Sequence, residues 1–216
     1  FLPQPPNVRI KFIIVKSNRQ MLLLEKPSFS SEKLLMIHAD HVNLIKDGVP
    51  KPGGIWADFG SGAGAFTLAL AEVIGPSGEI YSIDNDKHAL SKQQHTLEAR
   101  FPNDNRPTVH YLGYDFTKPL ELPSLDGGVI ANALHFQPDA AIVVQKLRAY
   151  LRPGGQFIIV EYNIKRSYPW VPYPVPFKSW QQIAILAGFV QTQLLATRPS
   201  RTFREIYAAL SVNPDS

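Results

Sequence analysis

Three glycines at alternate positions, Gly60, Gly62 and Gly64, follow the apolar run Ile55–Phe59 and precede the helix-prone Thr67–Glu72. Glycine turns sharply and lets a ligand approach where any Cβ would collide. A strand, such a turn and a helix start together present open backbone N–H groups to that ligand. Ser61 lies inside the turn, and Asp58 stands two residues before it at the strand end. A diphosphate would be repelled by that acid, whereas a cationic ligand would be attracted. Asp84, with Asn85 and Asp86 after it, ends the next apolar segment. A carboxylate there can accept both hydroxyls of a ribose, and its alternative role is a turn former or helix cap. Asp115 can accept from the exocyclic amine of a purine while Phe116 packs on the ring, or it can be a solvated loop acid.

A second set of candidates lies further on. In Asn132-Ala133-Leu134-His135-Phe136, His135 is an imidazole able to take a proton near neutral pH. The plain alternative is a structural loop histidine. Glu161-Tyr162-Asn163 follows another apolar run, and Glu161 is as readable as a strand-end cap. In the stretch Tyr168–Phe177, prolines at near-alternate positions predict an extended path with Trp170 and Tyr173 projecting from it. That stretch can roof a site or be a rigid connector packed on the core. Metal chemistry finds little support. The chain has no cysteine, and only His38 and His41 are closely spaced histidines, so no metal centre is expected.

The elements that must hold these residues alternate. Periodicity predicts strands over 55–59, 79–84, 108–112, 127–132, 156–161, 190–196 and 205–210. Helices are expected over 31–45, capped by Ser30 or Ser31, and over 67–72, 87–100, 138–150 and 180–187, with Pro153-Gly154-Gly155 as a stop signal. Alternating strands and helices imply an α/β fold, a mostly parallel sheet covered on both faces. The last two strands are close enough in sequence for an antiparallel C-terminal hairpin. The first residues are proline-rich, Arg9–Lys16 reads as a strand, and Met21 is a candidate native start.

The 216 residues suffice for one domain with a sizeable core. No apolar run reaches the ~18 residues of a spanning helix, so no membrane span is expected. A cytoplasmic location is the expectation for the chain. The net charge of +4 is uneven: residues 51–139 hold six Lys/Arg against eleven Asp/Glu, and residues 140–216 hold nine against three. A basic last third can mark a nucleic-acid surface, or be solvated side chains. No block of five like charges occurs, and nothing indicates an oligomeric state.

Asp58-Phe59-Gly60-Ser61-Gly62-Ala63-Gly64, Tyr81–Asp84, Asp115-Phe116 and Leu151–Ile159, in that order and spacing, resemble the signature series of class I S-adenosylmethionine-dependent methyltransferases. The resemblance covers about Lys51–Tyr162, and Ala187-Gly188-Phe189 is similar to the branch acting on small molecules. It implies a three-layer, doubly wound, seven-stranded sheet with a reversed final hairpin, and methyl transfer as the reaction. Residues 1–30 then read as an N-terminal extension, partly non-native or disordered, and 31–216 as the methyltransferase domain. S-adenosylmethionine, with S-adenosylhomocysteine as product, is the expected cofactor. The implied cofactor set is Asp58, Gly60, Ser61, Gly62, Gly64, Asp84, Asn85, Asp115, Phe116 and Asn132. The family has no universal catalytic residue to carry over, so the acceptor set is read from position in the sequence: His135, the candidate base, with Tyr162, Trp170 and Tyr173. A small, flat or hydrophobic acceptor is expected. A nucleic-acid acceptor is less favoured, and the lack of the Asn/Asp-Pro-Pro-aromatic pattern of amino-methylating nucleic-acid enzymes speaks against an adenine N6 acceptor. Gly60-x-Gly62-x-x-Ala65 also satisfies a dinucleotide fingerprint, which leaves a nicotinamide-dependent oxidoreductase as the alternative from another enzyme class.

Overall fold

The computed structural model describes residues 36–101, 105–200 and 202–215. The expected strand at Arg9–Lys16, the caps at Ser30 and Ser31, and the candidate start at Met21 lie outside the described residues. Seven strands form one sheet: β1 (Gly54–Phe59), β2 (Gly78–Ile83), β3 (Thr108–Leu112), β4 (Leu125–Ala131), β5 (Leu151–Tyr162), β6 (Val190–Pro199) and β7 (Glu205–Val212). Their spatial order is β3-β2-β1-β4-β5-β7-β6, with β7 antiparallel to both neighbours and the other pairings parallel. The helices are α1 (His38–Ile45), α2 (Ala65–Ile74), α3 (Lys87–Arg100), α4 (Ala140–Arg148) and α5 (Phe177–Leu186).

Side-chain alternation along the strands splits the core in two, as a period of two requires. On one face Trp56, Ile80, Val129, Ile158 and Ala208 pack under Leu44, Phe66, Leu70 and Leu97 of α1, α2 and α3. On the other Ala57, Phe59, Ile130, Phe157 and Tyr207 pack under Val143, Leu147, Trp180 and Ala184 of α4 and α5. The central strands are therefore buried on both sides, the three-layer arrangement that alternating elements require, while the edge strand β6 stays largely exposed.

Most element bounds lie one to five residues from expectation, and three of the differences have a visible physical cause. Among the described residues helix α1 begins at His38, because Ile37 is extended and its N–H is taken by the Asp40 carboxylate at 2.8 Å. Such a side chain reaching back closes a helix start. Strand β5 begins at Leu151 and runs through Pro153, which sequence alone makes a stop. The register shifts between Leu125 and Gly127, and Asn213 clamps the irregular stretch by donating to the Leu151 and Arg152 carbonyls at 2.9 Å. A bulge is where a strand tolerates proline. Strand β4 ends at Ala131, and Asn132 turns into the left-handed region at φ 50. No helix among the described residues is long and apolar enough to cross a membrane.

Candidate active site

Strand order reverses between β1 and β4, and in open α/β sheets ligands bind beyond the strand ends at such a point. A cleft of about 480 Å³ opens there, lined among others by Gly60, Gly62, Asp84, Asn85, Asp115, Phe116 and Asn132. These seven residues come from the loops after β1, β2, β3 and β4. Gly60 and Ser61 both donate backbone N–H to the Ile83 carbonyl, at 2.8 and 3.0 Å, which pins the glycine turn to the end of β2. A Cβ on Gly60, at φ +73, would sit 2.6 Å from the Ala133 Cβ and 3.1 Å from the Phe116 ring. Glycine is thus what lets Phe116 and Ala133 close on the turn.

Asp84 accepts the Gly62 N–H through Oδ2 at 2.7 Å and the Asp86 N–H through Oδ1 at 2.8 Å. The cap of α3 is Asp86, which accepts from His88 and Ala89. Asp115 takes the Thr117 N–H and hydroxyl on one oxygen, Oδ1, at 2.9 and 2.7 Å. Those bonds hold its carboxyl below the usual carboxylate range. The side-chain Oδ1 of Asn132 is buried without a partner. A non-glycine residue held left-handed and an orphaned acceptor at one position are the kind of strain that collects at ligand sites.

Other candidates lie off the cleft lining. Asp58 is 1% exposed beneath the turn and accepts the Thr67 hydroxyl at 2.6 Å through Oδ2, leaving Oδ1 without a partner. Burial pushes its carboxyl up from 3.8 to about 7, against the pull of the Thr67 bond. Ser61 joins a buried network in which Ser82 Oγ bonds Ser61 Oγ at 2.8 Å and Gln93 Oε1 at 2.6 Å. Gly64 faces the same glutamine, whose Cγ would lie 2.1 Å from an added Cβ. Gln93 was legible only as part of a polar helix, yet its spacing to Leu90 and Leu97 puts it on their buried face.

His135 is 3% exposed, in a short 3-10 turn after β4, and its Nδ1 lies 2.8 Å from Oε2 of Glu161, itself 0% exposed. Glu161 Oε1 also accepts the His135 backbone N–H at 3.2 Å. From Phe136, which lines the cleft, rings follow one another: His135 at 4.3 Å, Tyr162 at 6.2 Å from His135, then Phe203 at 4.8 Å, and Tyr168 at 4.8 Å from Phe203. Trp170 stacks on Tyr168 at 5.7 Å and is 54% exposed; Tyr173 is 47% exposed, and its N–H donates to the His135 carbonyl at 3.0 Å. The expected extended path does not hold at its start. Tyr168 and Val171 exchange backbone hydrogen bonds, so the chain reverses over Pro169-Trp170. Proline presets the φ that the second residue of a β-turn needs.

Solved structures share this architecture. A SAM-dependent methyltransferase from Aquifex aeolicus superposes with a TM-score of 0.63 at 17% identity, covering 81% of this chain and 89% of that one. Magnesium protoporphyrin IX methyltransferase from Synechocystis PCC 6803, solved with bound SAM, gives 0.59 at 20% identity over 81% of this chain and 76% of that one. The fold is that of the class I S-adenosylmethionine-dependent methyltransferases. Residues 51–194 match the methyltransferase-domain family, and the chain belongs to that family. Demethylmenaquinone methyltransferase from Lactococcus lactis is 28% identical over 116 residues, 53% of this chain and 43% of that protein. The chain thus spans less than half the length of that relative.

The residues present fit the family's cofactor. Asn132 offers a buried acceptor without a partner, and a Cβ built on Gly62 meets nothing within 4 Å, so the turn is open on that side. The Gly62 N–H, which a dinucleotide phosphate would need, is already bound to the Asp84 carboxylate. That bond and the family membership set the nicotinamide alternative aside.

Proposed function

We propose that the protein transfers a methyl group from S-adenosylmethionine to a small, flat or hydrophobic acceptor. When bound, S-adenosylmethionine supplies an electrophilic methyl carbon on a sulfonium. The chain's part is to hold the two reactants. Asp84 accepts the ribose hydroxyls, using the lone pairs its backbone bonds leave free. Asp115 accepts the adenine amine through its second oxygen, and Phe116 packs on the base. Asn132 accepts the α-amino group, while Ser61 and Gly64 keep the turn in shape from below. Asp58 acts at one remove, as a buried acid under the cationic end. Tyr162, Trp170 and Tyr173 form the acceptor side. Alignment at near-attack distance contributes much of the rate in such displacements.

The observation that carries this reading is the cleft itself, lined by Asp84 and Asp115 and by Phe136, the first of a connected series of rings. The named relatives act on quinone and porphyrin skeletons, which are flat. Nucleic acid is the weaker fit. In the basic last third, Arg148 bonds Asn213, Arg152 pairs with Asp126, Arg198 pairs with Asp40, and Arg166 lies over Tyr168. These four arginines lie on different parts of the chain, each engaged with a partner of its own. Titration calorimetry should show binding of S-adenosylmethionine and S-adenosylhomocysteine and none comparable of NAD. NAD binding without a response to S-adenosylhomocysteine would refute the proposal.

A further inference from the structure

The geometry points to His135 as the general base of the transfer and Glu161 as its positioning residue, and hence to an acceptor that reacts through a hydroxyl on a flat ring. This rests on the methyl-transfer reading above. Glu161 meets His135 twice, at Nδ1 and at the backbone N–H. A carboxylate oxygen 2.8 Å from Nδ1 is an acceptor, so the neutral ring carries its proton on Nδ1. The lone pair then lies on Nε2. Nε2 has no hydrogen bond among the described residues, and it is not among the nitrogens sealed from solvent without a partner. Residues on both sides of His135, Ala133 and Phe136, line the cleft.

A pair that served only to stabilise the core would be an expensive choice, since burying a carboxylate carries a large desolvation cost. The other ionisable groups around the dyad leave its charge alone. Tyr162 lies beside His135, and Tyr207 lies opposite Glu161 across the β5–β7 ladder with its hydroxyl donating to the Val175 carbonyl. Burial and the Glu161 charge push both phenols up, so both stay neutral. A proton taken up at Nε2 puts positive charge on a ring whose Nδ1 lies 2.8 Å from the Glu161 carboxyl group, and that contact stabilises it.

An electron pair of the acceptor oxygen forms the O–C bond, and the C–S bond breaks with its pair onto sulfur, which loses its positive charge. The hydroxyl proton passes to Nε2 and leaves to solvent after the products depart. An acceptor without an acidic proton would need no such base.

Two measurements test this. Nitrogen-15 spectra of the ligand-free protein should show Nδ1 protonated and Nε2 unprotonated at neutral pH, and Glu161→Gln should lose that preference. An Nε2–H ring in the parent protein would overturn the proposal. Labelled methyl transfer to a series of 1-naphthols of graded acidity follows. His135→Asn keeps a donor in place of Nδ1 but has no Nε2, so the fold should stand while kcat falls about 100-fold or more. Glu161→Gln should fall in the same direction with KM little changed. In both variants the most acidic naphthols, already ionised, should recover most of the rate. An equal loss across the series, or no methylated naphthol although S-adenosylhomocysteine binds, would overturn the inference and leave the methyltransferase reading standing. Failure of S-adenosylhomocysteine to bind would bring down both.

Discussion

Asp84 Oδ2 accepts the Gly62 N–H at 2.7 Å, so the acid ending β2 closes the glycine turn that ends β1. One residue thus shapes the loop and stands on the cleft rim. Asp84→Ala is expected to weaken S-adenosylhomocysteine binding by roughly 2–4 kcal/mol, the range of charged hydrogen bonds. It should also lower ligand-free stability by about 1–2 kcal/mol, because the Gly62 and Asp86 N–H groups lose their acceptor. Calorimetry and urea unfolding separate the two effects, and unchanged affinity would refute the ribose role.

Gly60 and Gly62 should respond differently to alanine. At Gly60 the new Cβ runs into Ala133 and Phe116, so Gly60→Ala should destabilise the protein by several kcal/mol or displace the Phe116 loop. At Gly62 the Cβ meets nothing within 4 Å, and only the cost of positive φ remains, about 1–2 kcal/mol. Gly62→Ala should therefore stay folded while losing cofactor affinity, since its methyl enters the cleft. Thermal melts with and without S-adenosylhomocysteine check both.

Asp58 predicts a pH dependence. Its folded carboxyl is raised from 3.8 to about 7, so the folded state binds the proton more tightly than the unfolded chain. Its contribution to stability is then full below pH ~4 and is lost as pH rises toward ~7, by at most about 1.4 kcal/mol per unit. Asp58→Asn keeps an oxygen for the Thr67 hydroxyl and removes the titration. Urea unfolding at pH 5 and pH 8 should show a smaller loss in the variant than in the parent. Equal losses would show that Asp58 stays ionised throughout.

Trp170 and Tyr173 are exposed and do not line the cleft. Trp170→Ala or Tyr173→Ala should raise the acceptor KM about 2–10-fold, the worth of one ring contact, with S-adenosylhomocysteine affinity unchanged. A fall in cofactor affinity of the same size would place these rings elsewhere in the reaction. Labelled methyl transfer to RNA at physiological salt, insensitive to both substitutions, would move the acceptor from the aromatic side to the basic residues.

Local pattern was enough where one element answers to its own sequence. Lys87–Arg100 and Thr108–Leu112 form the expected helix and strand with the expected bounds. Local pattern failed where a distant residue decides. Asn213 makes strand out of Leu151–Gly155, and Asp40 shares its carboxylate between the start of α1 and Arg198 of β6. The site divides in the same way. Gly60, Asp84 and Asp115 were readable from their place after apolar runs, because a parallel sheet brings consecutive strand ends to one edge.

Glycine spacing and strand–helix alternation thus determined the class of fold and the position of the cleft, through steric freedom and side-chain periodicity that act within a few residues. Only the tertiary structure decided that one of the three candidate acids stays off the cleft lining. Asp84 and Asp115 line it, while Asp58, nearest the glycines in sequence, points into the layer under the turn and is buried. The tertiary structure alone also paired His135 with Glu161, twenty-six residues apart. Burial and charge pairing depend on which strand ends become neighbours, and β4 and β5 are neighbours only once the crossover through α4 has closed.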